Sequence, residues 1–190
     1  MIQSKSTSST RTWRIDLILS TVAYALLIIS LIVQIGFLLN KKKRDRFSHY
    51  PLASAFVLLL IVTIQRSVKI SFIAITNTYE SLIFFSGIIA LILFIYRLRL
   101  KERALPFISF GGTVIAIILL AIVSSPVFSK SILPPIPALR SHWLVLHVTF
   151  AFIGESFFVL AFSASIYYLT CKDNEKKKEA DRNHLRQKQV

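Results

Sequence analysis

Apolar residues in this chain neither alternate with polar ones nor recur every three to four positions; they run. Five stretches carry little or no charge: Leu17 to Leu39, Leu52 to Ile75, Ser81 to Tyr96, Ala104 to Phe128 and Trp143 to Leu169. A helix rising 1.5 Å per residue needs about 20 residues to cross a bilayer. The pattern therefore predicts an all-α integral membrane bundle of five transmembrane helices, at about 15–39, 52–76, 79–96, 104–128 and 143–169. The first stretch exceeds the roughly 7–15 residues of a signal-peptide core, and no small-residue cleavage site precedes Lys41. Lys41-Lys42-Lys43-Arg44 reads instead as a stop-transfer flank. No internal repeat or low-complexity segment is present.

Composition fits this reading. Hydrophobic residues make up 54% of the 190, mean hydropathy is +0.64, and 17% are charged against about 25% in a globular domain. The net charge of +14 raises nucleic acid as a partner, but the basic residues punctuate apolar runs rather than forming one face, so no nucleic-acid partner is expected. One cysteine, Cys171, leaves no intrachain disulfide and no CxxCH haem-attachment site.

Charge does fix an expected orientation. With the N-terminus outside and the C-terminus inside, the segments 40–50, 97–103 and 171–190 lie inside and hold 16 of the 23 basic residues, as the positive-inside rule requires. The organisation expected is an outer N-terminal segment at 1–14, a five-span domain at 15–170 and a basic cytoplasmic tail at 171–190, against a lipid membrane. Two outer loops follow. One is a tight turn around Asn77-Thr78-Tyr79-Glu80; the other runs from Ser129 to His142, with Pro134, Pro135 and Pro137 holding it extended.

Polar groups inside a membrane are costly, which makes each a functional candidate. His147 lies four residues after Trp143, an interfacial anchor, and so about 6 Å below the start of its helix. Its imidazole can ligate haem iron or another metal, or hydrogen-bond within the bundle; position by itself favours the second. His142, about 140° around the helix from His147, cannot share a metal with it from one face. Glu155, eight residues beyond His147, is expected to be protonated or paired. Arg66 and Lys69 are its candidate partners; they can equally snorkel outward or clamp carboxylates such as haem propionates. Asn77 and Glu80 fit the first and fourth positions of a capping box, the reading preferred for Glu80. No catalytic triad, phosphate loop or zinc motif occurs, and no catalytic residue is assigned.

Two segments resemble a known family. Ile75-Thr76-Asn77-Thr78-Tyr79-Glu80-Ser81-Leu82-Ile83-Phe84-Phe85-Ser86 resembles the turn before the third span in the system II cytochrome c biogenesis membrane proteins (the CcsA/ResC type). Arg66 stands where that family carries an arginine. Ile136-Pro137-Ala138-Leu139-Arg140-Ser141-His142-Trp143-Leu144-Val145-Leu146-His147-Val148 resembles the family's approach to its fifth span.

The resemblance implies one membrane subunit of a machine that brings haem to the outer face of a bacterial cytoplasmic (inner) membrane and attaches it to apocytochrome c. His147 would be an axial ligand of the haem iron. Arg66, Lys69, Arg140 and Trp143 would complete the cofactor-binding set, around a haem b held transiently as substrate. At most the chain would be one part of a haem lyase. Members of that family continue for about three more spans, with a tryptophan-rich loop and a second outer histidine, so a second membrane subunit is expected to supply both. Two further departures are Gly87, where the family has tryptophan, and Glu155, where tyrosine is common. The competing expectations are a non-catalytic scaffold like the membrane regulators of haem biosynthesis, and a small transporter with Glu155 and Arg66 as a relay.

Overall fold

The computed structural model describes the backbone of residues 4–39, 49–100, 105–125, 128 and 137–187, and the side chains of 15–39, 49–100, 105–125, 128, 137 and 139–172. The described residues form α1 (Ser4–Leu39), α2 (His49–Ile70), α3 (Thr78–Leu100), α4 (Pro106–Ser124) and α5 (His142–Gln187), with a 3-10 turn at Pro137–Leu139 before α5. No strand occurs among them. All five helices contain a stretch long and apolar enough to cross a membrane: Ile15–Leu39, His49–Ile70, Thr78–Leu100, Pro106–Ser124 and His142–Lys172. The chain is an all-helical, multi-pass membrane protein. The expected stop-transfer flank at 41–44, the basic Lys101 and Arg103, and the prolines Pro134 and Pro135 lie outside the described residues.

Helix ends depart from the sequence expectation where local chemistry overrides hydrophobic length. α1 begins at Ser4, so helix already occupies most of the segment expected to precede the first span. α2 ends at Ile70, short of 76. Here Ser71 adopts φ 51°; its N–H reaches Val68 O at 3.4 Å and the Phe72 N–H reaches Ser67 O at 3.2 Å. These are the paired bonds of a Schellman cap, with serine at the left-handed position that usually holds glycine. The Ser67 hydroxyl accepts the Ala74 N–H at 2.8 Å, tying down the turn. α4 opens on Pro106, its missing N–H costing nothing in a first turn. α5 runs through the basic segment to Gln187. No glycine or proline follows Gly154, and Lys, Glu, Arg and Ala sustain the helix. The expected tail is thus a continuation of the fifth helix.

Contacts across the bundle show the helix directions. Where the apolar part of α1 begins, Asp16 meets Lys69 at the end of α2; late in α1, Gln34 bonds Thr113 in the first half of α4 at 3.0 Å. Arg97, near the end of α3, bonds Ser109 at the start of α4 at 2.9 Å. Helices α1 to α4 therefore run alternately up and down and close a ring, since α1 packs on α2 and α4, and α3 on α2 and α4. Ala23, Leu27, Leu52, Leu59, Val62, Ile83, Ile89, Leu93, Ala116 and Leu120 fill its centre.

Helix α5 lies outside this ring, against α3 and α4. Phe152 stacks on Phe85 with centroids 5.0 Å apart, and Ser156 and Ser163 are fully buried. A glycine makes the approach possible: a Cβ on Gly111 would lie 2.8 Å from Ser163 Cβ. Only 6% of the most apolar stretch of α5 is buried, against 22–50% in the other four helices.

Candidate functional site

Four charged side chains meet at the end of the ring where the apolar part of α1 begins, α2 ends and α3 starts. Arg66 and Lys69 are three residues apart and so share a face of α2. Asp16 comes from α1 and Glu80 from the first turn of α3, where the helix dipole favours a carboxylate. The Arg66 Nε donates to Glu80 Oε1 at 3.1 Å, and Nη2 lies 3.1 Å from the same oxygen. Arg66 Nη1 is 3.7 Å from Asp16 Oδ2, and Lys69 Nζ donates to that oxygen at 3.0 Å. The guanidinium carbon sits 4.8 Å from the centroid of the Tyr79 ring. Asp16, Arg66 and Glu80 are only 2–3% exposed, so the two cations and two anions neutralise one another away from solvent. Buried charges persist only when paired in this way. Asp16 Oδ1 and Glu80 Oε2 are buried with no hydrogen-bond partner among the described residues.

The sequence reading of this end changes in three respects. Glu80 does not close a capping box. Asn77 does precede the first residue of α3, and its carbonyl accepts the Ser81 N–H at 2.8 Å, but the Glu80 carboxylate is committed to Arg66. Arg66 and Lys69 do not pair with Glu155, because nearer carboxylates hold them and α5 packs on α3 and α4. Asp16 escaped the reading altogether. Its signal was present: an acid just inside an apolar span, at the end of the molecule where Arg66, Lys69 and Glu80 also fall.

The other candidates lie at the start of α5. Trp143 and His147, four residues apart in α5, share a face of the helix, and Arg140 lies in the two non-helical residues between the 3-10 turn and His142. All three are exposed, Trp143 at 79%. His147 has no hydrogen bond, ion pair or ring contact among the described residues, so its imidazole is available to a ligand rather than spent within the bundle. His142 points elsewhere and packs on Phe72, just beyond α2, with centroids 5.8 Å apart. That contact places the start of α5 at the same end as the charge cluster. The structure thus brings Arg66 and Lys69 together and puts Trp143 and His147 on one face of α5 just after Arg140, with no hydrogen bond, ion pair or ring contact joining the two groups among the described residues.

The donor set fits haem in one respect. A single unpartnered imidazole with an indole on the same helix face, and an exposed arginine just before the helix, can give an iron ligand, an aromatic contact and a carboxylate partner. No group of three or more metal-ligating side chains occurs among the described residues, so this chain offers iron one histidine at this place.

Comparison with known proteins agrees with the two sequence segments. Residues 75–189 match the family model of the cytochrome c assembly protein. A protein from Heterosigma akashiwo named cytochrome c biogenesis protein CcsA is 30% identical over 144 residues, covering 73% of this chain and 43% of the relative. Its namesake from Cyanophora paradoxa is 31% identical over 129 residues, covering 67% and 39%. That from Cyanidium caldarium is 25% identical over 127 residues, covering 63% and 40%. The chain therefore spans about two fifths of the length of these relatives. No solved structure matches. The chain belongs to the cytochrome c assembly protein family.

Proposed function

We propose that this member of the cytochrome c assembly family takes part in cytochrome c biogenesis, presenting His147 as one axial ligand to haem carried as substrate. The observation that supports this most is the state of His147: an imidazole without a partner among the described residues, on the helix face of Trp143, at the bundle end that charge bias assigns to the outer face. Arg140 would hold a propionate and Trp143 would lie against the macrocycle edge. Lys69, 24% exposed with one carboxylate partner, stays within the set that can reach a propionate. Arg66 would act less directly, holding the ends of α1 and α3 through Asp16 and Glu80.

In this reading the haem is haem b, bound transiently, and it supplies the vinyl groups that apocytochrome c thiols attack. Polypeptide outside these 190 residues, a second membrane subunit in the simplest case, supplies the second iron ligand and the tryptophan-rich surface. The location is the bacterial cytoplasmic membrane or its plastid counterpart, with the N-terminus outside. The competing scaffold reading draws on the single histidine. The relay reading has less support, since Arg66 faces Asp16 and Glu80 while Glu155 makes no ion pair among the described residues.

The deciding experiment is haem titration of the purified protein in detergent, followed by its Soret band. Wild-type protein should give a saturable histidine-ligated spectrum, His147→Ala should lose it, and added imidazole should partly restore it. An unchanged spectrum in His147→Ala removes the site assignment, and no haem binding at all favours the scaffold.

A further inference from the structure

Glu155 is placed where a lone helix does not tolerate it. It lies thirteen residues beyond the start of α5, about 20 Å along the axis, and close to the midpoint of the membrane-compatible stretch His142–Lys172. Its side chain is exposed and makes no hydrogen bond or ion pair among the described residues. With Ala151, Phe158 and Phe162 it forms a row at spacings of four, three and four, all exposed, Phe158 at 75%. That row is about a quarter turn from the packed row of Phe152, Ser156, Val159 and Ser163. It therefore looks sideways from α5 rather than into the ring.

From this placement we infer that the Ala151–Glu155–Phe158–Phe162 row is the docking face for a further transmembrane helix, one bearing a lysine, arginine, histidine or amide donor at mid-bilayer height opposite Glu155. Charge complementarity selects this occupant. Acyl chains offer a carboxylate nothing, and intramembrane acids are found facing partners or polar cavities. A second copy of the chain is the wrong occupant. Two copies inserted the same way and meeting through this row about a twofold axis along the membrane normal set Glu155 against Glu155, so neither brings the basic or amide donor that a different helix can. Polar side chains between membrane helices act as specific contacts when a donor answers them. The relatives have polypeptide to spare for such a helix, since the matched segment is 43% of the Heterosigma akashiwo protein. The inference rests on Glu155 and not on the haem reading.

Two measurements on one preparation test it. Dicyclohexylcarbodiimide, a carboxyl reagent that partitions into membranes, should label Glu155 in the purified chain, where its side chain is exposed. In native membranes labelling should be largely lost, because the facing helix covers the carboxyl and its donor occupies the oxygens. Glu155→Gln supplies the blank. A photo-crosslinking phenylalanine analogue at Phe158 should then give an adduct whose peptide comes from a different membrane span carrying one of the named donors, and Glu155→Leu should sharply reduce its yield. Equal labelling in both settings, an adduct to lipid alone, an adduct to a second copy, or an adduct to a span without a donor each overturns the inference. None of these outcomes moves the His147 Soret titration, so the two ideas fail separately.

Discussion

The Arg66 guanidinium touches two carboxylates that the chain keeps far apart: Glu80, at 3.1 Å, belongs to α3, and Asp16, at 3.7 Å, to α1. The pair Arg66–Glu80 is the stronger, with two guanidinium nitrogens on one oxygen and the Tyr79 ring beneath. Removing one partner from such a pair leaves an uncompensated buried charge.

Arg66→Ala and Glu80→Ala should each destabilise the bundle by about 3–5 kcal/mol, while the double variant should cost clearly less than their sum. Steric trapping or unfolding in mixed micelles measures it. Additive single effects would show that the pair is not coupled.

Asp16→Asn removes the carboxylate that holds Lys69 and leaves Arg66 paired with Glu80. Lys69 can turn outward and rehydrate, so the expected cost is smaller than that of Arg66→Ala, about 1–3 kcal/mol. The further substitution Lys69→Gln should recover part of it. A measured cost equal to that of Arg66→Ala would mean that Lys69 cannot leave the cluster.

Ser71 holds a left-handed conformation that costs a side chain with a Cβ about 1–2 kcal/mol. Ser71→Gly relieves that but loosens the unfolded chain. The net expectation is a gain of roughly 0.5–1 kcal/mol, with Ser71→Val losing stability. Thermal or denaturant unfolding of the two variants checks the sign.

Gly111 sets how near α5 can come to α4. Gly111→Leu should push α5 away at the level of Ser163, because the added Cβ meets Ser163 Cβ and the serine backbone cannot yield without moving the helix. A cysteine pair at Phe107 and Tyr167, whose rings lie 5.6 Å apart, should be bridged by a short bifunctional thiol reagent in the parent and lose most of that yield in the Gly111→Leu background. The Arg66–Glu80 coupling, on the far side of the ring, should remain.

Orientation can be measured directly. Reporter fusions after Gln187 should report the cytoplasmic side, and a cysteine at Ser141 should react with an impermeant maleimide added outside. The reverse result would place Arg140, Trp143 and His147 on the inner face and end the outer-haem proposal.

The chain by itself determined what depends on local hydrophobic length. Five spans and their order were legible because an apolar run must become a helix once lipid is its solvent. His147 and Trp143 were legible as neighbours because helical spacing is local. Helix ends were less so: the turn after Ile70 depends on Ser71 and Ser67 rather than on hydropathy. What only the tertiary structure decided was which polar groups meet. Lys69 and Asp16 are 53 residues apart, and nothing local to either one names the other. The same holds for α5, whose packed and unpacked rows are about equally apolar. In water the buried side of a helix is the apolar side. In a bilayer lipid and protein neighbours look alike to an apolar residue, so packing alone separates Ser156 and Ser163 inside from Glu155 and Phe158 outside.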